Sequence, residues 1–141
     1  MIIETEGKGK CVIAEKDYEI GDIVISSRRR YVEPERTMYS LQWDFQTHID
    51  LDEPARLTNH SCDPNLCVRR NEYDGYDFIA IKKIKRNSEL TWDYETTEYV
   101  SISISECLCG EERCRKTVVG FEKRSKLIRM LYGDNIADYL K

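Results

Sequence analysis

Asn59-His60-Ser61-Cys62-Asp63-Pro64-Asn65 is short, polar and interrupted by a proline, so on general grounds it is a turn or loop rather than a helix or a central strand. About 25 residues later comes Glu89-Leu90-Thr91-Trp92-Asp93-Tyr94, whose β-branched and aromatic residues follow a turn at Asn87-Ser88 and read as a strand. A third feature follows, the cluster Cys107-x-Cys109-x4-Cys114. Cys107 and Cys109 are too close for an easy mutual disulfide, whereas thiolates at these spacings converge on one metal ion. Zinc takes four tetrahedral ligands at structural sites, so three local cysteines leave one place for a residue from elsewhere.

Working outward, Cys11-Val12-Ile13-Ala14 and Ile23-Val24-Ile25 alternate like two short strands, with a turn between them at Glu19-Ile20-Gly21-Asp22. Leu66 to Arg70 and Phe78 to Ile81 read as a hairpin around Asp74-Gly75, a strong tight-turn pair. Helix is expected mainly at the end. Phe121, Leu127, Ile128 and Leu131 fall on one face at helical spacing, Gly133 stops the helix, and Asp134 caps a last short helix containing Ile136, Tyr139 and Leu140. Many short strands with turn signals predict a mainly β fold with short C-terminal helices. Cys11 and Cys67 lie in strand patterns and read as small core residues. Arg28, Arg29 and Arg30 read as a solvated turn.

The 141 residues are the size of one domain, and no stretch approaches the roughly 20 apolar residues that a membrane span needs. The opening Met1-Ile2-Ile3-Glu4-Thr5-Glu6 shows no secretory pattern, so a cytoplasmic or nuclear location is expected. Six cysteines in such a setting point to thiols or metal ligands rather than a disulfide framework. The net charge of −4 argues against direct nucleic-acid binding and suits a basic partner, although solubility alone explains it as well. Composition does not bear on oligomeric state.

Taken together and in this order, the Asn-His-Ser-Cys and Glu-Leu-Thr-Trp-Asp-Tyr motifs and the late cysteines resemble the signature of a SET-domain protein lysine methyltransferase with a zinc-binding post-SET segment. The resemblance implies a β-rich SET fold with knot-like C-terminal threading, a SET domain over 1–100, a post-SET segment over 101–120 and a helical extension over 121–141. It implies S-adenosylmethionine as cofactor and one structural zinc held by Cys62, Cys107, Cys109 and Cys114. Asn59 and the His60 backbone would bind the cofactor, with Tyr94, Leu108 and the N-terminal glycine segment. That segment aligns either as Gly7-Lys8-Gly9 or, in register with Val12-Ile13-Ala14, as Gly9-Lys10-Cys11. Tyr94 is implied as the tyrosine at the transfer point and Tyr39 as a second catalytic tyrosine lining the substrate channel. Trp92 stands where family members carry Phe or Tyr, and its bulk points toward monomethylation.

The implied activity is methyl transfer to a lysine side chain of a histone or histone-like protein. A catalytically weak, zinc-stapled interaction module is the alternative from another class. Two departures bear on the choice. Ser26 to Arg30 stands where the family carries Glu-Tyr-x-Gly, and the insert between Tyr39 and Asn59 is short.

Overall fold

The computed structural model describes residues 1–141. In chain order it forms β1 (Ile2–Thr5), β2 (Gly9–Val12), β3 (Ile23–Ser26), β4 (Arg29–Glu33), β5 (Leu41–Gln42), β6 (His48–Leu51), β7 (Asn59–His60), β8 (Leu66–Arg70), β9 (Tyr76–Ala80), β10 (Thr91–Trp92) and α1 (Phe121–Tyr132). Short 3-10 turns stand at Ala55–Leu57, Tyr94–Thr96 and Asp138–Leu140. The expected mainly β architecture with C-terminal helix is therefore present.

Three small sheets share the strands: β1-β2, β4-β6-β5, and a five-stranded sheet ordered β3-β9-β8-β10-β7. The β8-β9 hairpin is its spine, paired from Leu66↔Ala80 to Arg70↔Tyr76. Along β9 the side chains alternate, with Tyr76, Phe78 and Ala80 buried and Asp77 and Ile79 half-buried, as the period of two requires. The turn is built by Asn71, whose Oδ1 accepts from the backbone N–H groups of Tyr73 and Gly75. Gly75 is obligatory there, because a Cβ would stand 2.4 Å from the Ser27 carbonyl oxygen. One continuous core, including Val12, Ile49, Leu51, Leu66, Phe78 and Trp92, lies between the sheets. Burying each of its larger side chains contributes roughly 1.5–3 kcal/mol.

The strand that positions the site is β10. It lies parallel between β7 and β8, although those two are consecutive in the chain. A late segment thus inserts between two earlier ones. Asn65, in the loop between them, stitches it in place: its Nδ2 donates to the Glu89 carbonyl at 2.8 Å and its Oδ1 accepts from Thr91 N at 3.0 Å.

Several local expectations are corrected. The segments Cys11–Ala14 and Ile23–Ile25 are not partners, since β2 pairs with β1 and β3 pairs with β9. The strand expected over Glu89–Tyr94 is only Thr91–Trp92, because Asp93 accepts from Glu95 N and caps a 3-10 turn that starts at Tyr94. On α1 the buried positions are Phe121, Ile128 and Tyr132, with Leu127 and Leu131 half-buried. Asp134 caps nothing; the last turn starts at Asp138, and Ala137 N is tied instead to the Thr96 carbonyl. Arg28 to Arg30 run into β4 and lie over the rings of Tyr73, Trp43 and Tyr31, where the flat guanidinium stacks on aromatic faces.

Candidate active site and metal centre

The register Thr91↔Asn59 and Trp92↔His60 brings the two sequence motifs side by side, and the residues beyond the strand ends form the site. Asn59 Nδ2 donates to the Lys10 carbonyl at 3.1 Å and to Glu89 Oε1 at 3.2 Å, and Lys8 Nζ reaches Glu89 Oε2 at 3.0 Å. The N-terminal glycine segment is thereby fastened to both motifs. His60 is buried, and its Nδ1 accepts from Tyr94 N at 3.1 Å while Nε2 lies 3.4 Å from Cys62 Sγ. Burial, with the Arg115 cation nearby, holds its imidazole down to about 4, so it is neutral near pH 7 and works as a brace for Tyr94.

Tyr94 and Trp92 both donate to one carbonyl, Thr58 O, from the phenol at 3.1 Å and from the indole Nε1 at 3.3 Å. Their rings are 4.5 Å apart. Burial and the nearby Glu98 carboxylate push the Tyr94 phenol pKa up, so it stays protonated at neutral pH. Because its hydrogen is committed to Thr58, its oxygen presents only lone pairs to the space beyond.

That space has two parts. A cleft of about 580 Å³ is lined by Gly9, Lys10, Asn59, His60, Tyr94 and Leu108, among others. Gly7 and Lys8 line it too, whereas Cys11 does not. Cys11 is buried in β2, so of Gly9-Lys10-Cys11 the first two residues border the cleft. A throat of about 10 Å³, bordered by Tyr39, Trp92, Tyr94 and Glu98, shares Met38, Tyr39, Arg56, Tyr94 and Ser103 with the cleft. Tyr39 is 40% exposed at this junction and is covered on one face by the Arg56 guanidinium, 4.6 Å from the ring centre.

Cys62, Cys107, Cys109 and Cys114 converge, with all four sulfur atoms within 4.8 Å of one another. Cys62 and Cys107 are 3.7 Å apart, close to the about 3.8 Å edge of a tetrahedron with zinc–sulfur bonds of about 2.3 Å. Backbone N–H groups of Arg115 and Lys116 point at Cys62 Sγ and Cys114 Sγ, each at 3.4 Å, the polar support expected around thiolates. The donor set fits one zinc ion.

Single-sequence reasoning missed the charged lattice around Tyr94. Asp93 and Glu95, its two neighbours, are buried. Arg115 meets both Asp93 oxygens at 2.8 Å and Glu95 Oε1 at 2.7 Å, and Tyr132 donates to Asp93 Oδ2 at 2.7 Å. Arg124 adds a contact to Glu95 Oε1 at 2.9 Å, while Glu95 Oε2 accepts from the N–H groups of Val119 and Gly120. Gly120 admits no side chain, since a Cβ would meet the Tyr99 carbonyl at 2.5 Å. The segment after Cys114 and the start of α1 are thus clamped to the residues on either side of Tyr94. The only signal in the sequence was the alternation of acid and aromatic in Asp93-Tyr94-Glu95.

The fold and site define a β-rich domain with an inserted parallel strand, a four-cysteine staple and a cleft that narrows into a throat. The SET domain family model matches residues 9–95, and the chain belongs to that family. Its relatives include a Candida albicans histone-lysine N-methyltransferase, H3 lysine-36 specific, 33% identical over 84% of this chain and 16% of that protein. Another is the histone-lysine N-methyltransferase ASHH3 of Arabidopsis thaliana, 26% identical over 82% of this chain and 37% of that protein. A crystal structure of KRYPTONITE in complex with mCHH DNA, an H3(1-15) peptide and SAH superposes with a TM-score of 0.63 at 26% identity, covering 83% of this chain and 29% of that one. The chain spans well under half the length of these relatives.

Proposed function

We propose that this chain is a protein lysine N-methyltransferase that uses S-adenosylmethionine, with the exposed tail of a histone or histone-like protein as its substrate class. Residues 1–100, 101–120 and 121–141 would act as one unit of SET domain, post-SET segment and helical extension, at work in the nucleus or cytoplasm. No helix is long and apolar enough to cross a membrane. The observation that carries the reading is the meeting of a large cleft and a narrow throat at Tyr94.

The cofactor, when bound, supplies a methyl group on a positively charged sulfur. Gly9, Lys10, Asn59, His60 and Leu108 would hold it in the cleft, with Cys62, Cys107, Cys109 and Cys114 holding zinc so that the post-SET segment forms one wall. The throat would take the substrate lysine. A free lysine has a pKa of ~10.4, so only about one in 10³ is uncharged at neutral pH. Burial among the apolar and aromatic residues of the throat would penalise the ammonium, against the attraction of the Glu98 carboxylate, and the positive sulfur of a bound cofactor would add to that penalty. Tyr94 contributes by aiming: its oxygen, with its own hydrogen held by Thr58, accepts from the amine N–H and fixes the lone pair on line for displacement. Trp92, wedged against Tyr94, fills the space that additional methyl groups would need, which favours monomethylation.

One observation favours the second reading, a zinc-stapled interaction module: the throat of about 10 Å³ has room for about one water, so a lysine stem enters only if Met38, Tyr39 or Ser103 moves. Labelled methyl donor with histones H3 and H4, assayed beside Tyr94→Phe, separates the two. The enzyme predicts transfer that falls on losing the hydroxyl. The module predicts no transfer and no binding of the donor by calorimetry.

A further inference from the structure

We propose that Glu98 is the proton acceptor of the throat, taking from the substrate lysine the hydrogen ion that must leave before the methyl group can be received. The inference rests on the lysine methyltransferase reading and deepens it. Apart from Arg56, whose guanidinium cannot accept a proton, Glu98 is the one charged side chain bordering the throat. Arg56 is also engaged, over the Tyr39 ring and by its Nε to Asp50 at 3.1 Å. The Tyr94 hydroxyl is committed to Thr58. That leaves the Glu98 carboxylate.

Its two oxygens are not equivalent. Oε2 accepts from Gln42 N at 3.0 Å and from Thr97 Oγ1 at 2.9 Å, which fixes the side chain between β5 and the segment after Tyr94. Oε1 has a single long contact of 3.5 Å to Arg36 Nη2, so it keeps capacity to accept a further hydrogen bond. The side chain is 4% exposed, so an ammonium brought beside it meets a carboxylate largely without competing water.

The step balances. An N–H bond of the lysine ammonium breaks, its electron pair stays on nitrogen, and an O–H bond forms at Glu98, leaving a neutral amine beside a neutral acid. Nitrogen then bonds the methyl carbon as the carbon–sulfur bond breaks, and that pair returns to sulfur, which becomes a neutral thioether. The methylated product is again a cation, and Glu98 returns its proton to solvent once product leaves.

The groups facing Glu98 set its range. Burial pushes its carboxyl up to about 7, opposed by hydrogen bonds from Gln42 and Thr97 and by the Arg36 cation. The phenols of Tyr39, Tyr94, Tyr76 and Tyr139 surround it; burial raises the pKa of the last three, so none of those carries charge near neutrality. His48 lies near Arg36, and burial lowers its imidazole, with Arg36 adding to that, so it too is neutral there. A carboxylate balanced in this way accepts and releases a proton at physiological pH.

The test measures kcat/KM for methyl transfer to an H3 peptide with the zinc-loaded full chain from about pH 5.5 to about 9.5. Wild type should lose activity on the acid side with a midpoint near 7. Glu98→Gln should lose about 100-fold at pH 7, with its remaining activity rising toward the pKa of lysine itself, and should bind S-adenosylhomocysteine within about twofold of wild type. Arg36→Gln, which removes a cation that favours the ionised form, should move the wild-type acid limb to higher pH. An active wild type whose acid limb survives unchanged in Glu98→Gln, or does not move in Arg36→Gln, overturns the assignment and leaves the methyltransferase reading standing. A wild type that transfers no methyl group overturns both.

Discussion

The two walls of the cleft are held by different physics. On one side β7, β8 and β10 sit over a core of 16 buried apolar residues, so the wall carrying Asn59 and His60 is fixed by the hydrophobic effect. On the other side the post-SET segment shares a cluster of just three, Cys62, Cys107 and Val118. A cluster that small cannot order some 20 residues, each costing about 1–2 kcal/mol of backbone entropy. What would fix this wall is a metal held by Cys62, Cys107, Cys109 and Cys114, together with the buried ion lattice of Asp93, Glu95, Arg115 and Arg124. One wall is therefore built in by folding, whereas the other is conditional on zinc and charge.

Breaking the staple should have the largest effect. Chelation, or Cys109→Ser, should remove about one equivalent of zinc by elemental analysis and free residues 101–120 to exchange their amide hydrogens rapidly. Amides of β8 and β9 should remain protected. Uniform loss of protection would mean that the two walls are one cooperative unit.

Next in size, Phe78→Ala should cost about 3–5 kcal/mol by denaturant titration, because it opens a cavity in the apolar wall. Arg115→Met should cost a similar 3–5 kcal/mol by leaving Asp93 and Glu95 buried without their shared cation. The comparison is sharpened by a second substitution: the Arg115→Met loss arises from charge, so Asp93→Asn introduced with it should recover part of the stability, and should recover nothing in Phe78→Ala.

Tyr132→Phe is milder, expected at about 1.5–3 kcal/mol for one hydrogen bond to a buried carboxylate, read as a shift in midpoint. The last effect is read as a slope rather than a midpoint, in the pH dependence from Glu98. Its carboxyl is raised in the fold from 4.5 to about 7, so the protonated form is favoured there and its stabilising contribution is fully present below 4.5 and lost as pH rises through 7. Glu98→Gln, which mimics the protonated acid, should gain stability relative to wild type across that window. A constant difference between the two would contradict the assigned environment.

How much of this was legible in the sequence follows from how local each interaction is. The Asp74-Gly75 turn and the Gly133 stop are settled within a few residues, and the turn chemistry names them. The four-cysteine cluster was legible because cysteines are few and Cys107, Cys109 and Cys114 crowd together, with Cys62 supplied by the family motif. Strand pairing was not. Whether β2 joins β1 or β3 depends on which apolar edge is free after the sheet assembles, and neither segment's alternation records that. The insertion of β10 between β7 and β8 is likewise invisible, since two-residue strands have almost no pattern. Arg115 and Arg124 went unread because a buried charge looks like a surface charge until its partner is placed, and Tyr132 because its hydroxyl partner, Asp93, lies far off in the chain. Glu98 is the same case at a shorter distance, four residues beyond Tyr94.

The central claim is that a zinc-held wall completes a cofactor cleft on a preformed apolar one. Calorimetric titration of S-adenosylhomocysteine into the zinc-loaded chain and into the chelated chain tests it most directly. Binding at a single site that weakens at least tenfold on chelation, about 1.4 kcal/mol or more, is the predicted result. Equal affinity with and without zinc would contradict the account.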